Sequence, residues 1–479
     1  MTTTDPAFDP AGQSYRQTRI AHWDAIARKR DSWRGMGKWY HNRLFEIYSF
    51  HVTPNQKVLE VGCAEGHLLA ALQPASGVGV DFSEEMIQRA RRNYPNLEFV
   101  NADAHDLSEI KEKFDVIILS DLVNDLWDVQ RVFQQIRPLC HPRTRILVNF
   151  YSRLWQAPLS AARQLNLATS NLYQNWLTPD DIDALLVLAG FEAITTSREI
   201  LFPLPLGGFA NRFLVRLWPF NHLALSNFVI ARPAPERVMD EPVVSVVIAA
   251  RNESGNIKAL FERTPQMGRQ TEIVFVEGHS KDDTYAAIER EMASHPSTPS
   301  QLFHQTGIGK ADAIRLGFEK ACGDVLMILD ADMTVPPEDL PRFYDALVSG
   351  KGEFINGVRL VYPMEKEAMR TLNFFGNKFF SLAFSWLLGQ PVKDTLCGTK
   401  VLWKKDYEQI AANRSYFGDF DPFGDFDLIF GAAKLNLKII DLPIRYRERI
   451  YGTTNISRWK HGLLLLRMVS FAARRIKFI

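Results

Sequence analysis

Cysteine is scarce in this 479-residue chain: four residues, Cys63, Cys140, Cys322 and Cys397, lie far apart. None forms a C-x-x-C pair, which argues against a disulfide framework and against the usual zinc spacing, and favours a reducing compartment. No run of about 18 uninterrupted apolar residues occurs, so a conventional membrane-spanning helix is not expected. The opening segment MTTTDPAFDPAGQSYRQTRIAHW lacks an apolar stretch flanked by basic residues, so no secretory signal is expected. Excess charge is lacking too. Lys and Arg number 56 against 55 Asp and Glu, which speaks against nucleic acid as a partner. The exception is local: from Arg445 to Ile479 there are seven Arg and two Lys against one acid, Glu448, with Trp, Phe and Leu interleaved. Such an end suits an anionic surface.

What is present is alternation. Residues 11–50 read as helical, and from KVLEVG (57–62) onward short apolar strands alternate with helical segments, the pattern of βαβ units and a parallel sheet. Residues 151–230 are less regular, with a helix expected in TPDDIDALLVLAG (178–190) and a final strand pair ending in NFVIARP. ARPAPERVMDEP (231–242) is polar, rich in proline and aperiodic, and reads as a linker. After it the alternation restarts. The expected fold is α/β: two consecutive doubly wound domains, residues 1–235 and 243–455, followed by a basic amphipathic helix over 456–479. At this length two or three domains are the ordinary expectation.

In VLEVGCAEGHLLAAL (58–72), Glu60, Gly62 and Gly66 fall at a strand-to-helix turn where a ligand can approach bare backbone. Asp81 ends the next strand 19 residues after Gly62, the spacing of an acid that grips ribose hydroxyls. Over roughly 45–150 these residues resemble the class I methyltransferases that use S-adenosylmethionine, although Cys63 and Ala64 depart from the commonest glycine-rich motif. The resemblance implies that Glu60, Gly62, Gly66 and Asp81 bind S-adenosylmethionine. It also implies that Asp103 and Ala104 of NADAHDL meet the adenine, and that Ser120 and Asp121 of LSD lie near the cofactor's far end. A dinucleotide enzyme competes as a reading but would need a pyrophosphate over this turn. No catalytic base stands out, so a non-catalytic binding or regulatory module remains the alternative.

The second half carries GDVLMILDADMTVPPEDL (323–340), an apolar strand that ends in Asp330 and Asp332. In extended chain, residues two apart share a face, so both carboxylates can reach one cation. Hard ions such as Mg or Mn take oxygen ligands and are often completed by substrate phosphates. VSVVIAARNESGNI (244–257), EIVFVEGHSKDDT (272–284) and GIGKADAIRLGFEKACGDVLMILDAD precede or contain the acid pair. Over about 243–460 these segments resemble the family 2 inverting glycosyltransferases of GT-A fold, in the dolichyl-phosphate mannosyltransferase-like branch. The resemblance implies nucleotide-sugar binding by Ala250, Asn252, Glu253, Glu277, Lys310 and Asp330, with Glu277 standing where many relatives have Asp. It implies a metal at Asp330 and Asp332, catalytic roles for Asp332 and Asp425, and acceptor binding by Arg359, Lys393 and Arg449.

A hydroxyl acceptor needs a general base, the role open to Asp425. A phosphate acceptor is already anionic near pH 7 and needs cations for placement instead. The density of basic residues favours a lipid phosphate, with a hydroxyl acceptor in polysaccharide or glycolipid synthesis as the alternative. The expected partners are therefore a nucleotide sugar, a polyprenyl phosphate or other lipid acceptor, and a membrane surface met peripherally from the cytoplasmic, inner side. TLNFFGNKFFSLAFSWLLGQ (371–390) and ISRWKHGLLLLRMVSFAARRIKFI (456–479) are the two membrane candidates, either lying in an interface or packing as core helices.

Overall fold

The computed structural model describes residues 10–29, 37–164, 172–203, 207–238, 240–359, 371–416, 425–447, 449, 451 and 458–478. The chain divides into two compact units, residues 1–234 and 235–477.

The first unit holds β1 (Lys57–Val61), β2 (Ser76–Asp81), β3 (Glu98–Asn101), β4 (Phe114–Ser120), β5 (Cys140–Tyr151), β6 (Phe191–Glu199) and β7 (Ser226–Pro233), in the order β3-β2-β1-β4-β5-β7-β6. Strands β3 to β5 across this order are parallel, and β7 runs antiparallel between β5 and β6. The sheet is thus mixed rather than parallel as the alternation suggested. The β6/β7 pair is the cause, since it lies where the helix–strand alternation lapses. Ala231 to Pro233, read from composition as linker, are the last residues of β7, where Phe191 pairs with Pro233.

Residues in β1 and β4 explain why the sheet is covered on both sides. Leu59, Val61, Ile117 and Leu119 enter one buried cluster, and Val58, Val116 and Ile118 the other, as a period of two requires. Helix starts are chemically marked. Ser83 Oγ accepts from Met86 N at 3.2 Å ahead of the helix Glu84–Asn93, and Thr178 with Asp181 forms a capping box for Pro179–Leu188.

The second unit holds β8 (Val243–Ala250), β9 (Gln270–Glu277), β10 (Ser300–His304), β11 (Val325–Ile328), β12 (Phe354–Val358), β13 (Lys400–Trp403) and β14 (Ile439–Pro443), in the order β10-β9-β8-β11-β13-β12-β14. β8 is parallel to β9 and β11, while β13 is antiparallel to both of its neighbours. In each unit the connection reverses beside the first strand, between β1 and β4 and between β8 and β11. An open α/β sheet has its binding crevice beyond the carboxyl ends at such a point.

The helix Thr371–Leu388 packs on the helix Arg458–Ala472. Phe384, Leu387, Leu465, Met468 and Ala472 join the core beside Phe426 and Phe430, while Phe379, Leu382, Trp386, Leu463 and Leu466 are exposed. Core packing and outward apolar surface are therefore not alternatives: each helix does both, with different residues. Among the described residues no helix is long and apolar enough to cross a membrane.

Candidate active sites

In the first unit the carboxyl ends of β1, β2 and β4 form a tight turn system. Gly62 and Gly66 take φ of +76° and +75°, left-handed values that favour glycine. A Cβ on Gly66 would meet the Phe99 ring at 2.7 Å, and one on Gly62 would meet Leu122 at 2.8 Å. Ala64 also has a positive φ, 46°, and its N–H donates to Asp81 Oδ2 at 2.9 Å. Asp81 Oδ1 accepts from Ser83 N at 2.9 Å. Burial nevertheless raises its carboxyl to about 6. Glu60 is buried, accepts from Leu69 N at 3.0 Å, and is pushed up by burial to about 8.

Asp103 receives His105 N at 2.9 Å and His105 Nδ1 at 2.7 Å. Burial works against its ionisation, but these bonds, with Arg16 nearby, hold it below the ordinary carboxylate range. Ala104 beside it is buried. Ser120 ends β4, and next to it Asp121 Oδ1 accepts from Tyr40 at 2.8 Å and Asn149 Nδ2 at 2.6 Å. The sequence reading missed Tyr40 and Asn149; a tyrosine recurring on the apolar face of the 37–51 helix was the available signal.

The helix Pro10–Lys29 crosses this crevice. Arg16 pairs with Asp103 at 2.7 Å, Asp24 accepts from Ser83 Oγ at 2.5 Å, and Arg19 and Trp23 both hold Asp125 at 2.9 Å. A cavity of about 480 Å³ opens beside it, with Tyr15, Trp127 and Tyr173 among its walls.

In the second unit the loops after β8 and β9 are stitched together. Asn252, at φ 57°, accepts from Lys281 N at 2.7 Å, and its own N–H donates to Ser280 Oγ at 2.9 Å. Ala250 closes β8, and its carbonyl accepts from Gly278 N at 2.9 Å. Glu277 accepts from Ser280 N at 2.5 Å and lies 3.3 Å from His304 Nδ1. Burial opposes its ionisation, and those bonds still leave it below the ordinary range. The His304 ring stacks on Tyr285 at 4.2 Å, an arrangement not expected from sequence.

The acid pair is not on extended chain. β11 stops at Ile328 and Asp330 to Asp332 form a turn, closed by Met333 N to Asp330 O at 3.1 Å with Met333 at φ 51°. A turn here rotates the two carboxylates toward different partners, contrary to the shared face expected of a strand. Asp330 Oδ1 is 2.5 Å from Lys310 Nζ, and Asp332 Oδ2 is 2.5 Å from Arg449 Nη2. Asp332 Oδ1 accepts from Thr334 N at 3.1 Å. Gly398 lies against Asp330 Oδ2, where a side chain would collide with the carboxylate. Burial disfavours the Asp330 anion, but Lys310, Lys400 and Arg359 outweigh it and depress its carboxyl. Lys400, fully buried and donating to Cys397 O at 2.5 Å, escaped the sequence reading, although a lysine inside the apolar run KVLW was a visible oddity.

Of the expected acceptor cations, Arg359 is engaged by Asp394 at 2.7 and 2.9 Å. The Lys393 side chain is exposed, and its backbone N–H donates to Asp441 at 2.7 Å. Arg449 pairs with Asp332 at 2.5 Å and with Glu253 at 3.5 Å. Asp425 begins the helix Asp425–Lys434, and its side chain lies outside the described residues. Its neighbour Asp427 pairs with Arg414 at 2.8 Å and Arg315 at 3.3 Å.

Residues 52–187 match the family model "Methyltransferase domain", and residues 245–410 match "Glycosyl transferase family 2". The chain joins a methyltransferase domain to a family 2 glycosyltransferase domain. Within the glycosyltransferase domain it is 39% identical over 112 residues to an undecaprenyl-phosphate 4-deoxy-4-formamido-L-arabinose transferase of Edwardsiella ictaluri, covering 22% of this chain and 34% of that protein. It is 33% identical over 109 residues to a dolichol-phosphate mannosyltransferase of Pyrococcus furiosus, covering 22% and 30%. The chain spans about a third of the length of these curated relatives. A solved S-adenosylmethionine-dependent methyltransferase of Methanosarcina mazei is similar at 16% identity and TM-score 0.31, over 40% of this chain and 98% of that one.

Family 2 transfer raises the matter of a divalent ion. The donor pair in the glycosyltransferase domain suits a hard cation in chemistry: Asp330 and Asp332 offer only carboxylate oxygen, and the chain already sets positive charge against both. Among the described residues, however, no three acidic, histidine or cysteine side chains gather closely enough to hold a metal. An ion there would draw its remaining ligands from a donor's phosphates.

Proposed function

We propose that the glycosyltransferase domain moves a single sugar, with inversion, from a nucleotide diphosphate donor to a polyprenyl phosphate at a membrane surface, and that the methyltransferase domain transfers a methyl group from S-adenosylmethionine. The observation that carries the first reading is the pairing of Lys310 with Asp330 and of Arg449 with both Asp332 and Glu253 beyond the carboxyl ends of β8 and β11. Ala250, Asn252 and Glu277 would border the nucleotide there. Asp330 and Asp332 would hold Mg or Mn, which neutralises charge on the departing diphosphate. Lys310, at the start of the helix Lys310–Lys320, would contribute a second positive charge facing the same oxygens. The acceptor phosphate is anionic and needs no strong base, so Asp425 would orient rather than deprotonate it. Arg359, Lys393 and Arg449 would place it, Arg359 only in so far as its bond to Asp394 permits. The names of the relatives, both transferases to polyprenyl phosphates, support this acceptor class.

For the methyl transfer, Asp81 would receive the ribose, Asp103 and Ala104 the adenine, and Glu60, Gly62, Gly66 and Ser120 would frame the rest. The cavity beside Tyr15, Trp127 and Tyr173 offers room for the methyl acceptor.

The exposed Phe379, Leu382, Trp386, Leu463 and Leu466, with Arg467, Arg474 and Arg475 alongside, form the surface that would lie on the cytoplasmic leaflet. The deciding experiment incubates the protein with labelled nucleotide sugars and a short polyprenyl phosphate, then extracts into organic solvent. Label in the lipid phase that requires Mg or Mn, and that disappears in Asp332→Ala while the fold persists, is the expected result. Full transfer by that variant would overturn the reading.

A further inference from the structure

Arg449 occupies the acid pair in a way its expected role at the acceptor does not explain. Its Nη2 lies 2.5 Å from Asp332 Oδ2 and its Nη1 3.5 Å from Glu253 Oε1, so one guanidinium spans two carboxylates from different loops. Two residues later the Tyr451 ring lies against Gly255, where a Cβ would meet it at 2.7 Å, and the Tyr451 hydroxyl is 3.2 Å from Ser254 Oγ. Arg449 and Tyr451 are thus fastened to the loop after β8 and the turn after β11, the ground a donor diphosphate would need.

Two like charges in a partly buried site repel unless a cation lies between them. Arg449 supplies that cation here. A divalent ion on Asp332 would supply it more compactly, and its charge would repel a guanidinium held on the same carboxylate oxygen. Lys310 differs, because its helix is packed on β8 and β9 and cannot withdraw as a unit. We infer that Arg449 is an internal counter-ion of Glu253 and Asp332 that a divalent ion must displace, so that loading the donor site and freeing Arg449 and Tyr451 are one exchange. The inference rests on the reading of Asp330 and Asp332 as metal ligands. Its consequence is order: the guanidinium becomes free for an acceptor phosphate only once the donor's ion has replaced it.

A competitor held in the site weakens the apparent affinity of the ligand it excludes. The full-length chain is titrated with Mn²⁺ alone and free ion is read by electron paramagnetic resonance, for wild type, Arg449→Gln, Arg449→Lys and Asp332→Asn. Arg449→Gln is expected to bind Mn²⁺ on the order of tenfold more tightly than wild type, a difference of about 1.4 kcal/mol. Arg449→Lys should fall between them, and Asp332→Asn should lose the ion. Trypsin cleavage after Arg449 in the wild type should quicken when Mn²⁺ is added. Equal Mn²⁺ affinity in wild type and Arg449→Gln, with loss in Asp332→Asn, would overturn the counter-ion role and leave the metal reading standing. No Mn²⁺ binding by either, or binding indifferent to Asp332→Asn, would overturn both.

Discussion

Single residues set opposite pH responses in the two units. Glu60 and Asp81 are buried carboxyls whose protons are held more tightly when folded, to about 8 and about 6 against ordinary values of 4.5 and 3.8. The folded form then binds more protons than the unfolded one between the two values, so their contribution to stability falls as pH rises through that window. Glu60→Gln removes most of this slope. Thermal unfolding of the variant should show a smaller loss between pH 5 and pH 8 than wild type, and a higher midpoint at pH 8. Asp394 behaves the other way. Burial disfavours its anion, but Arg359 overcomes that and depresses the carboxyl, so the pair stabilises the fold at neutral pH and is lost as pH falls below the ordinary carboxylate value. Arg359→Ala leaves a buried anion without its partner and should cost about 3–5 kcal/mol by denaturant titration without any ligand. An unchanged stability would return Arg359 to a purely acceptor-facing role.

Elements combine these residues into surfaces. The helices Thr371–Leu388 and Arg458–Ala472 turn Phe384 and Met468 inward while Leu382 and Leu463 face solvent. Periodicity alone shows that such helices have apolar residues on several sides; it does not say which side meets protein. The double substitution Leu382→Glu and Leu463→Glu alters only exposed positions. It should leave the melting temperature within a few degrees and reduce flotation with anionic vesicles by about tenfold, since buried apolar area and charge both drive interfacial binding. Flotation equal to wild type would exclude this face. The turn carrying Asp330 and Asp332 makes the same point about elements. The apolar run was legible as a strand, but its end depends on where Met333 can adopt a left-handed conformation and where Arg449 arrives from a segment 117 residues away.

At the scale of the whole molecule, two family matches lie in tandem, residues 52–187 and 245–410, and each unit has its own sheet and core. Calorimetry of the intact chain should therefore show S-adenosylmethionine raising one unfolding transition and Mn²⁺ with a nucleotide diphosphate raising another, because a ligand stabilises the unit that binds it. A single transition moved equally by both would contradict independent sites. The α/β class and the two-part order were legible in the linear chain, as were the strand-end turns at Gly62, Gly66 and Asp81. These are local matters: strand and turn chemistry act over a few residues, so their pattern survives in the linear text. Folding in three dimensions was needed to set β7 and β13 antiparallel, to bring Tyr40 and Asn149 onto Asp121, to bury Lys400 near Asp330, and to pair Lys310 with Asp330 and Arg449 with Asp332. Those depend on which distant segments the fold brings within a few ångströms of a buried charge. That is settled by packing, because a charge leaving water takes whatever partner the completed core sets beside it.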